Sequence, residues 1–142
     1  MIRIRKDKTN LLGKWKLKTG PKYYFFIYLW KDQKSMEDNV PDVEKGTAEA
    51  CTTFAQPILH ISGSKSKLKI LPKLGEMHFI KGRWSLEIVA HELCHALIHR
   101  ITMIPPSFDQ IRNQVGYSEE TVCYEFGAWV RDLYRILSEH GD

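Results

Sequence analysis

The chain has 142 residues, 43% of them apolar and 27% charged. That balance suits one soluble domain spanning 1–142, long enough to bury a core without disulfide staples. Its three cysteines, Cys51, Cys94 and Cys123, are odd in number and far apart, so they imply no disulfide framework and are expected to be small buried apolar residues. The net charge of +4 is modest but uneven. Arg3, Arg5, Lys6, Lys8, Lys14, Lys16, Lys18 and Lys22 crowd the start, with Asp7 as the only acid among them.

In chain order, residues 2–8 and 14–18 alternate. Ile2 and Ile4 are set against Arg3 and Arg5, and Trp15 and Leu17 against Lys14, Lys16 and Lys18, the period of a half-buried strand. Residues 1–30 thus form a basic β-hairpin region. It is either the solvated face of that hairpin or a surface for phosphate or an acidic protein, with at most weak nucleic-acid contact. Gly20-Pro21 is a turn and 23–30 an aromatic strand. Residues 31–47, polar with Pro41 and Gly46, read as a long loop. Residues 48–61 are strand-like, with Pro57 marking an edge or a bulge. A turn at 63–66, a short strand at 68–71, a turn at 72–75 and a last strand at 76–80 follow. No apolar h-region follows the charged start, and the longest apolar run, 23–30, is too short to cross a bilayer, so a cytoplasmic protein without membrane contact is expected.

The period then changes. Leu86, Val89, Ala90, Leu93, Leu97 and Ile101 have helical spacing, with Ser85 as cap and Glu87 in the first turn. Pro105-Pro106 ends the helix, and 107–117 is a connector. Ser118 is expected to cap a second helix running to about residue 137. The layout, strands followed by two helices, is α+β with an antiparallel or mixed sheet.

The first helix carries His91-Glu92-Leu93-Cys94-His95. Residues four apart share a helix face, so His91 and His95 can present imidazole nitrogens to one Zn2+. Glu92, about a quarter turn away, can reach a metal-bound water as general base without ligating the metal. Two His and a Glu are costly to bury in so apolar a segment without such a partner. The second helix offers a third ligand, Glu120. Helical spacing from Phe126 and Val130 sets it beside the buried side, with Glu119 as the competing carboxylate nearer solvent. His99 lies too far along the helix from His91 to share its metal and is assigned a packing or supporting role. Tyr124, one turn after Glu120, either hydrogen-bonds a ligating His or a developing oxyanion, or is a packed aromatic. His60 and His78, on strands, are read as structural.

The run 91–99, with Glu120 and Phe126-Gly127 after it, resembles the gluzincin layout of thermolysin-type peptidases. It is also similar to the small ImmA/IrrE-type metallopeptidases of phages and mobile elements, and more loosely to SprT-like proteases. The resemblance covers roughly 75–137, the metal-site core. Tyr124 and Cys123 depart from those families' patterns at positions that are not ligands. The resemblance implies a zincin-like fold and a zinc metallopeptidase, with metal on His91, His95 and Glu120, catalysis by Glu92 and Tyr124, and a protein or peptide substrate. It also implies substrate pairing by strand addition along 76–79, if that strand is an edge. A non-catalytic zinc-bearing interaction module and a protease recruited to DNA by the basic hairpin are the alternatives.

Overall fold

A computed structural model describes residues 9–20, 22–40, 46, 48–103 and 115–142. The chain is α+β. Its elements, in order, are β1 (Leu11–Lys18), β2 (Tyr24–Trp30), α1 (Gln33–Asn39), β3 (Ala50–Phe54), β4 (Ile58–Ser62), β5 (Lys65–Lys69), β6 (Lys73–Ile80), α2 (Leu86–Met103) and α3 (Val115–His140). The main sheet is mixed, in the order β1-β2-β6-β3. β1 lies antiparallel to β2, β2 parallel to β6, and β3 antiparallel to β6. β4 and β5 form a separate hairpin.

Alternation assigns the two faces of the sheet. Leu17, Phe25, Ile27, Leu29, Met77 and Phe79 point to the side covered by α2 and α3, where they bury against Val89, Leu93, Ala96, Trp129, Leu133 and Leu137. Tyr28, Trp30 and Ile80 point to the other side, where α1 covers them with Met36 and Val40. β2 is therefore apolar on both faces, as befits a strand between neighbours.

α1 lies where the sequence suggested a loop. Asp32 caps it, accepting a 2.8 Å hydrogen bond from the Ser35 backbone N–H. That bond holds the Asp32 carboxyl below its usual range. Met36 is its only buried apolar side chain, with Val40 just past its end, too few to produce a periodic pattern. The expected strand 48–61 is two strands, parted at 55–57 beside Pro57. The expected turn at 72–75 is instead the start of β6. Gly75 is there because a Cβ would run into the Thr53 carbonyl and the Phe25 ring. α3 starts at Val115, so Ser118 lies inside the helix rather than at its cap. The hairpin seen is β1–β2, whereas residues 2–8, with Arg3, Arg5, Lys6 and Lys8, lie outside the described residues, as does most of the connector 107–117. Cys94 and Cys123 are exposed and Cys51 is half-buried, contrary to the burial expected of all three. Among the described residues no helix is long and apolar enough to cross a membrane.

Two contacts fix α2 relative to the sheet. Arg100 Nε donates to the Thr19 carbonyl at 3.2 Å, tying the end of α2 to the β1–β2 turn. Trp84 Nε1 donates to the Gly141 carbonyl at 3.0 Å, tying the start of α2 to the end of α3.

Candidate metal centre

α2 buries Val89, Leu93 and Ala96 completely. At about 100° per residue, His91 and His95 lie about 40° apart on the exposed side of the helix, about 160° and 120° round from Val89, and Glu92 and His99, about 60° and 80° from it, lie at the border of that buried stripe. That border meets β3. Glu92 is only 5% exposed, and the Thr52 hydroxyl of β3 donates to its Oε2. Two turns on, His99 stacks on Phe54 with ring centroids 4.1 Å apart. Burial there pushes its imidazole pKa down, which fits the packing role.

His91 and His95 are exposed, with their rings at 77° to one another. Their Nε2 atoms are 3.1 Å apart. At that distance one Nε2–H can donate to the other Nε2, the tautomers deciding which. A cavity of about 260 Å³ opens beside them, lined by Glu49, Ala50, Ile88, His91 and Glu92. Cys51, half-buried on the next position of β3, has its thiol pKa raised, first by burial and then by the Glu92 charge. A larger cavity of about 800 Å³, between Trp84 and Leu86 at the start of α2 and Val130 and Tyr134 of α3, has no imidazole or thiol on its wall.

The other site residues read from the sequence lie elsewhere. Glu120 is exposed, and Tyr124 is 78% exposed. The buried side of α3 runs along Trp129, Leu133 and Leu137. Counted back along the helix, Glu120 falls about 140° and Tyr124 about 180° from Leu133. The side chain of Glu119 lies outside the described residues. Among the described residues no group of three or more His, Cys, Asp or Glu stands together in a way that could hold a metal. The structure thus pairs His91 with His95, sets His91 and Glu92 on one cavity, and does not bring Glu120 or Tyr124 to them.

The strand 76–79, considered for substrate pairing, is not an edge. β6 is bonded on both sides, to β2 and to β3. The edge next to α2 is β3. His78, 1% exposed, is structural. Trp30 Nε1 donates to its Nδ1 at 2.9 Å, so its Nε2–H is the donor to Glu76 Oε1 at 3.2 Å. Glu76 also accepts from Tyr28, whose phenol pKa is pushed up to about 12 by burial and by that carboxylate. His60 is exposed on β4.

Sequence reading missed Thr52. It is forty residues from Glu92, and a threonine in a strand is unremarkable by itself. Only the pairing of β3 with β6, which carries Thr52 over α2, reveals it. No family model, curated protein or solved structure matches the chain.

Proposed function

We propose that the chain is a zinc-dependent metallopeptidase of zincin-like build, acting on a peptide segment of a protein substrate. The observation that carries this reading is the convergence of the His91 and His95 Nε2 atoms to 3.1 Å, beside a buried Glu92 whose one oxygen is held by Thr52. Two imidazole nitrogens at ordinary zinc distances on a tetrahedral ion stand about 3.3 Å apart, so the pair fits that metal. His91 and His95 would hold it. The third-ligand candidate is Glu120, by resemblance, with Glu119 as the competing donor; Glu120 stands apart from the pair, so α3 would have to turn to bring it there.

Zinc, when bound, lowers the pKa of a water toward neutrality and polarises a carbonyl. The chain's own part follows from its geometry. Thr52 anchors Glu92 Oε2, leaving Oε1 to accept a proton on the cavity side and return it to a leaving amine. Among the described strands β3 is paired on one side only, next to that cavity, and its other side would take an extended peptide by strand addition.

The experiment is zinc titration followed by peptide hydrolysis. About one zinc per chain is expected, since one ligand set is proposed. His91→Ala and His95→Ala should abolish zinc uptake. Glu92→Gln should keep the zinc and lose hydrolysis. A folded protein that takes up no zinc would sink the proposal, and so would unchanged turnover in Glu92→Gln. Loss of zinc in Glu119→Ala with Glu120→Ala intact would move the third ligand by one residue.

A further inference from the structure

The sheet face turned away from α2 and α3 breaks the alternation expected of a surface. On β2 it carries Tyr24 and Phe26, both half-buried, before the row passes under α1 at Trp30. An open antiparallel face normally places polar residues there. Here β1 supplies them from the side. Lys18 is in register with Tyr24, Lys16 with Phe26 and Lys14 with Tyr28. The ammonium of Lys16 lies 4.3 Å from the centre of the Tyr24 ring, and that of Lys14 lies 4.0 Å from the centre of Phe26. Lys73 of β6 reaches Phe26 from the opposite flank, at 5.3 Å. It is also paired with Glu76 at 2.7 Å, so the cations the face offers a ligand are taken from Lys16 and Lys18 of β1.

We propose that this face binds a single-stranded nucleic acid, with bases stacked on Tyr24 and Phe26 and phosphates held by Lys16 and Lys18. Two features favour that ligand over an acidic peptide. Rings flanked by cations offer both a π-surface and a counter-charge, the combination that single-strand platforms use. The second is that Tyr24 and Phe26 lie on alternate positions of β2, about 7 Å apart, so two successive unstacked bases could each meet a ring, which acidic side chains cannot use. The lysines rest on the rings by cation–π attraction, a weak contact at an exposed site. A phosphate draws the ammonium outward and leaves the ring to a base. No chemistry at α2 is needed, so this inference stands or falls apart from the peptidase.

The test is fluorescence anisotropy of a labelled oligothymidylate, the matching duplex and polyglutamate, over a salt series. The single strand should bind more tightly than the duplex, with a log–log salt slope of about −1.4 to −2 for two to three neutralised phosphates. Phe26→Leu, which keeps an apolar side chain but no ring, and Tyr24→Ser should each weaken binding about 5- to 150-fold. Lys16→Gln, on an exposed position that folding does not need, should flatten the salt slope. No binding at low salt overturns the inference. Duplex binding equal to single-strand binding with Phe26→Leu unaffected also overturns it, as bare charge attraction. Polyglutamate competing as well as the oligonucleotide does the same, in favour of an acidic protein partner.

Discussion

At the scale of single residues, the most consequential contact is Thr52 to Glu92. Glu92 is buried, and an interior carboxylate that loses its donor bears the full cost of its desolvation. Thr52→Val, which keeps the shape but removes the hydroxyl, should therefore lower stability by about 1–3 kcal/mol in urea unfolding, and Thr52→Ser should restore it. Full stability in Thr52→Val would mean that Glu92 is paired in some other way. His99 gives a pH signature. Its folded-state pKa lies below the ordinary histidine value because burial on Phe54 disfavours the cation. The unfolded chain then binds the proton at higher pH than the folded one. The stability contribution is complete above about pH 6.5 and falls as pH drops through the lowered folded value. Thermal melts between neutral and mildly acid pH should show a shallower acid loss in His99→Gln than in the parent protein.

At the scale of elements, legibility followed the strength of the periodic signal. β1, β2 and α2 were plain because Lys14 to Lys18 alternate and because Leu86, Val89, Leu93 and Leu97 repeat with a helical period. Within the site, His91, Glu92 and His95 were legible for the same reason: one helix presents all three. The failures arose where tertiary contact decides. α1 depends on the Asp32 cap and one buried methionine. Gly75, which reads as a turn residue, sits in a strand because the Thr53 backbone passes over it. The edge role passed from β6 to β3 because pairing order is not written in any local pattern. Gly75→Ala should accordingly destabilise the protein by about 1–3 kcal/mol through overpacking, measurable by chemical denaturation. A neutral result would show that β3 can move away from β6 at no cost.

At the scale of the whole molecule, one layer of side chains joins the sheet to both long helices. Leu93 and Leu133 are fully buried in it, one on each helix. Leu93→Ala and Leu133→Ala should each cost about 2–5 kcal/mol, as deletions in a closed core do. Because a single cluster holds Leu17 and Phe25 with Trp129 and Leu137, each variant should still unfold in one transition by calorimetry. A separate early transition for α3 would show instead that the helix is a loosely attached addition. Glu92 lies at the rim of this layer, where α2 meets β3, so if the proposed zinc site forms, Leu93→Ala should also weaken zinc uptake.

The β4–β5 hairpin, with Leu59, Ile61 and Leu68 between 55% and 70% exposed, joins strands that are already held from elsewhere. β6 lies between β2 and β3, and the hairpin tip at Gly63 carries none of that pairing. Cutting the covalent chain at that tip would leave two pieces that interlock like the halves of a clasp. One contributes β1, β2 and β3, and the other inserts β6 between them and brings α2 and α3. Because Thr52 belongs to the first piece and His91, Glu92 and His95 to the second, reassembly of the two from separate solutions would rebuild the Thr52–Glu92 contact, and under the proposed function complementation would be visible as recovered zinc uptake.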